Sequence, residues 1–182
     1  MFTLEYRKGK SKLSVSDDKK SCIKQLLNGE LEWEYITAVT SQSGVYIQPI
    51  DFINSTTYSM QYIENSMNFH RFFNKASDDF YENPEIVFQV CHNAMNTLWE
   101  HRKVIVSMQN KYPGIEHTDI TDYNLLVNLD DYSVKIMDID SIRVKPENLM
   151  GAMTSSYKST LNTIIHMQSL VAEKRDRDAR ST

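Results

Sequence analysis

Apolar residues recur along this chain with two periods, and the switches between them mark out the elements. Phe2 to Tyr6, Ser11 to Val15, Val45 to Phe52, Thr56 to Ile63, Leu125 to Val127 and Val134 to Met137 are short, alternating or apolar stretches that read as strands. Ile53-Asn54-Ser55 joins the middle two into an antiparallel pair, and Asn128-Leu129-Asp130-Asp131 joins the last two into a hairpin. Helical spacing runs through Asp18 to Asn28 and Glu30 to Thr40, broken at Asn28-Gly29. In the second of these, Glu32, Ile36 and Val39 fall at i, i+4 and i+7, so a carboxylate shares a stripe with apolar residues and needs a partner there.

The longest periodic stretch opens at Asn83-Pro84-Glu85, which combines a cap residue, a first-turn proline and an acid suited to the helix dipole. Val87, Cys91, Ala94, Leu98, Ile105 and Met108 keep the stripe for about seven turns, until Tyr112-Pro113-Gly114 ends it. His92 and His101 on this helix read as packing or surface residues, because no second Cys or His stands at ligand spacing. Ser141 to Ser156 reads as extended, and Tyr157 to Ala172 as an amphipathic helix through Leu161, Ile164, Ile165, Met167 and Leu170. Glu173 to Thr182 alternates charge without an apolar anchor and reads as a disordered tail. The fold class that follows is α+β.

Composition narrows the setting. The 182 residues are 41% hydrophobic, enough for one sizeable core, and contain no run of about eighteen apolar residues that would span a membrane. Signal-peptide patterning is absent from the start of the chain, and two cysteines, Cys22 and Cys91, both on stretches read as helical, fit reduced thiols. A cytoplasmic protein is the expectation. A net charge of −4 gives no electrostatic case for nucleic-acid binding.

The chemistry concentrates in one stretch. His117-Thr118-Asp119 is followed by Asn124, then by the hairpin, then by Lys135-Ile136-Met137-Asp138. A loop and two strands here deliver a carboxylate, an amide and a second carboxylate to one place, as phosphoryl transfer from a nucleotide requires: the protein supplies position and compensates charge. Asp119 would accept the proton of an acceptor hydroxyl, while Asn124 and Asp138 offer the hard oxygen ligands that Mg²⁺ takes alongside phosphates and water. His117 in such a loop holds the backbone. Asp122 and the Asp130-Asp131 pair read as turn and loop charges. Asp138-Ile139-Asp140 also matches the D-x-D metal signature of nucleotide-sugar transferases, but no glycine-rich strand-to-helix turn precedes it.

This stretch resembles the kinase-like fold, in which a catalytic loop H-x-D-x-x-x-x-N leads through a hairpin to an aspartate in a D-F-G type position. Asp138 follows Asn124 by 14 positions, which accommodates two short strands and a turn. Thr118 replaces the arginine of the protein-kinase loop, Thr121 a lysine, and Asp140 the glycine of D-F-G. These departures resemble the small-molecule branch, the aminoglycoside and choline phosphotransferases and the lipopolysaccharide or sugar kinases, with I-D-F-D or I-D-W-E at this point.

The resemblance implies two lobes: residues 1–63 as a reduced antiparallel-sheet lobe with one helix on the nucleotide side, and 64–172 as a mainly helical lobe carrying the catalytic loop. It implies ATP and Mg²⁺ as cofactors and a small hydroxylated acceptor as substrate. Lys12 is then the strand lysine that holds the α and β phosphates, paired with Glu32, with Lys10 in reserve. Gln61, Tyr62 and Ile63 line the adenine pocket through their backbone. Gly9 is the one glycine before the first helical stretch, so the phosphates would be covered by a short basic turn at Arg7, Lys8 and Lys10. A binding or regulatory module without turnover is the alternative that this short turn suggests. The short region after Asp140 points to an acceptor site completed by a dimer or another protein.

Overall fold

A computed structural model of the chain describes residues 6–8, 11–79, 83–145 and 155–180. The elements are β1 (Tyr6–Lys8), β2 (Ser11–Val15), β3 (Ser21–Leu26), α1 (Trp33–Thr40), β4 (Pro49–Asn54), β5 (Thr57–Gln61), β6 (Ser66–Asn68), α2 (Phe69–Asp79), α3 (Pro84–Met108), β7 (Ile115–His117), β8 (Leu125–Asn128), β9 (Val134–Ile136), β10 (Ile142–Val144) and α4 (Ser155–Arg180). Two 3₁₀ turns, Asp122–Asn124 and Ile139–Ser141, punctuate the central region. The fold is mixed α+β with antiparallel sheets, and among the described residues no helix is long and apolar enough to cross a membrane.

The largest sheet has the order β1-β2-β3-β5-β4, with α1 inserted between the third and fourth strands. Residues 18–28 do not form the expected helix; Ser21–Leu26 is the central strand of this sheet, and Cys22 therefore sits on a strand. The physical reason is a degenerate period: Cys22 and Leu26 stand four apart, a spacing that places two residues on one helix face and equally on one strand face. Burial alternates along β3, with Cys22, Lys24 and Leu26 inward. Gly29, at φ +86°, turns the chain from β3 toward α1 in a conformation that L side chains rarely adopt.

The hairpin β4–β5 forms as the pattern predicts, but its first strand starts at Pro49. Residues 45–47 pair instead with the end of β9: the Ile136 N–H donates to the Val45 carbonyl at 2.7 Å and the Ile47 N–H to the Ile136 carbonyl at 2.9 Å. That bridge ties the five-stranded sheet to the β6-β8-β9 sheet below it.

Helix α3 forms where Asn83-Pro84-Glu85 predicts, and Val87, Val90, Cys91, Ala94, Leu98, Ile105 and Met108 are buried along it. It braces the centre through side chains: the Thr97 hydroxyl donates to the Val134 carbonyl at 2.8 Å and the Asn93 amide to the Tyr132 carbonyl at 2.8 Å. His101 is a packing residue, its Nδ1 3.0 Å from the Tyr46 hydroxyl. Cys22 and Cys91 are free and buried, and burial pushes their thiols up to about 11 and about 12, which keeps them protonated and inert.

The stretch expected as a tail is helical as far as Arg180, and residues 181–182 lie outside the described ones. Helix α4 runs to Arg180, burying Tyr157, Ile164, Met167 and Val171, while Ile165 and Leu170 are exposed. Lys174 continues the buried stripe, and Arg175 pairs with Glu85 while lying 5.4 Å from the Phe88 ring. The Thr160 hydroxyl of α4 donates to the Ile120 carbonyl at 3.2 Å, reaching the loop between β7 and β8.

Candidate functional site

The loop between β7 and β8 is fixed from three sides. Its entry strand β7 pairs with β10, so that His117 stands opposite Ile142, and the Thr118 N–H donates to the Ser141 carbonyl at 2.9 Å. Gly114, at φ +85°, makes the turn into β7, with its N–H on the Gln109 side-chain oxygen at 2.9 Å. On the outer side, His70 of α2 holds Asp122 through Nδ1 at 3.0 Å and stacks on Tyr123 at 4.0 Å between ring centroids. Asp122 is thus more than a solvated turn charge: it pins the loop to α2.

His117 lies at the middle of this arrangement. Its Nε2–H donates to the Met137 carbonyl at 3.2 Å and its Nδ1 accepts the Asp119 N–H at 3.3 Å. Burial holds its pKa below the ordinary value, so the ring is neutral with the proton on Nε2. This is the backbone-holding role expected from the sequence. It also fixes Asp119 relative to Met137, and hence to Asp138.

The structure brings Asp119, Asn124 and Asp138 into one neighbourhood. Asn124 donates from Nδ2 to the Asp119 carboxylate at 2.9 Å and to its carbonyl at 3.0 Å. With its nitrogen committed, the amide leaves its oxygen available as an acceptor. The Met137 N–H donates to the Asn124 carbonyl at 2.9 Å, and Leu125 pairs with Ile136, so the hairpin returns the chain beside the loop. Asp119 is exposed, Asn124 and Asp138 are partly buried, and Asp138 adopts a left-handed conformation at φ +62° that few side chains other than Asn and Asp tolerate.

The lysine that reaches this point is Lys24, not Lys12. Its ammonium forms ion pairs with Asp138 and with Asp140, the latter at 2.6 Å, and Lys24 itself is 5% exposed. Lys12 stands on β2 opposite Gln25, one register position away from the Leu13–Lys24 pair, so its side chain projects from the other face of the sheet. Burial alone would depress the Lys24 ammonium, but the Asp140 and Asp138 charges hold it above the usual lysine range. The Asp140 carboxyl is likewise raised by burial and then held below its ordinary value by Lys24 and by the Tyr58 hydroxyl, which donates to it at 2.8 Å.

Glu32 is not the partner of a strand lysine. The helix starts at Trp33, later than the spacing predicts, which leaves Glu32 at the cap position, exposed, with Oε2 3.4 Å from the Val144 N–H. Gln61 ends β5, and Gln61 and Tyr62 donate their N–H groups to the Gln48 and Lys20 carbonyls at 2.9 and 3.0 Å. The Ile63 carbonyl accepts the Ser66 hydroxyl at 2.6 Å, whereas the Ile63 N–H has no hydrogen-bond partner among the described residues. Arg7 and Lys8 belong to β1, and Gly9 and Lys10 lie outside the described residues.

Sequence reasoning therefore missed Lys24, Tyr58 and the role of Asp140. The available signal was the period-2 alternation of Ser21 to Leu26 after the polar run Asp17-Asp18-Lys19-Lys20, which marks a hairpin with a lysine on its inward face. As to a metal, no group of three His, Cys, Asp or Glu side chains among the described residues forms a cation cage. The oxygen donors of Asn124 and Asp138 instead suit a cation that keeps most of its shell as water or phosphate, which is the habit of Mg²⁺. No protein-family model matches this chain, and no curated protein matches it.

Proposed function

We propose that the protein is an ATP- and Mg²⁺-dependent phosphotransferase of kinase-like architecture acting on a small hydroxylated acceptor. The single observation that carries this reading is the buried Lys24 on the central strand, ion-paired to Asp138 beside the Asp119–Asn124 loop. A lysine so placed, a cation-ligating carboxylate and an exposed carboxylate cover the needs of phosphoryl transfer: neutralise phosphate charge, hold the metal and orient the attacking hydroxyl. The sheet order β1-β2-β3-β5-β4 with a helix between β3 and β4, and the long buried α3 behind the loop, agree with the small and large lobes of that architecture.

In this reading Asn124 and Asp138 hold Mg²⁺, which when bound would draw charge from the transferring phosphoryl group. Lys24 binds the phosphates, in the place first expected for Lys12. Asp119 accepts the hydroxyl proton, kept in position by Asn124 and His117. The backbone at Gln61 to Ile63 faces adenine, with the Ile63 N–H as a donor. Thr118, Thr121 and Asp140 favour a small acceptor over a protein side chain.

A module that binds without turnover is the second reading, and one observation favours it: only residues 9 and 10 connect β1 to β2, a short cover for phosphates. Thermal unfolding with ATP, with and without magnesium, separates the cases at the first step. A magnesium-dependent rise in Tm supports the phosphotransferase, and no shift at millimolar nucleotide counts against it.

A further inference from the structure

We infer that Asp140 and Tyr58 hold Lys24 for the nucleotide phosphates, a task that α1 leaves undone. This rests on the nucleotide reading above and goes past it by naming positioning residues outside the metal and acceptor set.

Lys24, Leu13 and Tyr58 occupy neighbouring register positions on one face of the sheet, since Lys24 pairs with Leu13 on one side and Tyr58 on the other. Tyr58 is fully buried, and the Asp140 side chain is only 11% exposed. One Asp140 oxygen, Oδ1, accepts both the Lys24 ammonium at 2.6 Å and the Tyr58 hydroxyl at 2.8 Å. A flexible four-carbon stem is thereby given one position.

The helix that packs nearby does not compete for this task. α1 lies against β10 and the Ile139–Ser141 turn, yet its acids are engaged elsewhere: Glu32 with the Val144 N–H and Glu34 with the Tyr112 hydroxyl at 3.0 Å. The anchor comes instead from the turn that follows Asp138. An ammonium has three N–H donors, of which Asp138 and Asp140 take two and a phosphate oxygen can take the third. If Asp138 were to hold a metal ion, Asp140 would still keep the ammonium in place. Together Lys24, Asp138 and Asp140 carry one excess negative charge, which an incoming cation offsets.

The test measures Mg·ATP affinity by calorimetry on the full chain, together with acylation of Lys24 in the nucleotide-free protein, read by peptide mass mapping. Asp140→Asn is expected to weaken Mg·ATP about tenfold or more and Tyr58→Phe about threefold or more, with Asp140→Glu recovering part of the loss. Both weakened variants acylate faster at Lys24. Glu34→Gln stays within about twofold of wild type on both measurements. If Asp140→Asn does not fold, Tyr58→Phe decides, because it removes one hydroxyl and keeps the ring. Wild-type affinity and wild-type acylation in Tyr58→Phe, or an equal loss in Glu34→Gln, overturn the anchor while the nucleotide site stands. A wild-type protein that binds no Mg·ATP overturns the nucleotide reading and this inference with it.

Discussion

Acidification to pH 5 should expose the cost of a buried neutral imidazole. His101 is 5% exposed, and burial, followed by the nearby His117 and Arg102, pushes its pKa from 6.5 down to about 3. The unfolded chain takes up a proton at this ring below about pH 6.5, whereas the folded chain refuses it until about pH 3. Stability is therefore fully present above the unfolded value and is lost as pH falls through the window between them. From pH 7 to pH 5 the difference in proton uptake amounts to about 2 kcal/mol, and with a urea m-value on the order of 2 kcal/mol/M the midpoint falls by about 1 M. His117 is depressed in the same direction by its burial, so the wild type alone does not isolate the term. His101→Gln keeps a side-chain acceptor for the Tyr46 hydroxyl and removes the titration. Urea unfolding of both proteins at the two pH values should show a wild-type midpoint that drops about 1 M further than that of the variant. Equal drops would refute the neutral buried ring.

Three further outcomes follow from the site. Asp119→Asn should lower turnover by about a hundredfold or more while leaving Mg·ATP affinity near wild type, read by steady-state kinetics and calorimetry; unimpaired transfer would remove Asp119 from its role. Asp138→Asn should raise the magnesium concentration needed for half-maximal nucleotide binding by about tenfold or more, and an unchanged magnesium dependence would exclude it as a ligand. Lys24→Met should abolish measurable nucleotide binding and cost about 3 to 5 kcal/mol of stability in urea, because Asp140 is left buried without its cation; a variant as stable as the wild type would show that the pair contributes nothing.

The convergence of the Asp119–Asn124 loop with Asp138 was legible because its signal is local. His117, Asp119 and Asn124 lie within eight positions, and Asp138 is carried back by a hairpin whose apolar alternation is plain. The long helix α3 was legible from its proline start and its stripe. Lys24 was not, because no hydrophobic pattern announces a buried cation, and the Cys22–Leu26 spacing fits a helix as well as a strand. Asp140 could be seen as a departure, but its meaning depends on Tyr58, 82 positions away. The extent of α4 was hidden for a related reason: Lys174 is buried although composition counts it as a surface charge.

Both nitrogens of the His117 ring are spoken for, one by the Met137 carbonyl and one by the Asp119 amide. Such a ring cannot ferry hydrogen ions inward or outward, since changing its tautomer would break both contacts at once. If Asp119 accepts a hydroxyl proton as proposed, that proton would leave directly to bulk solvent, toward which the exposed carboxylate opens.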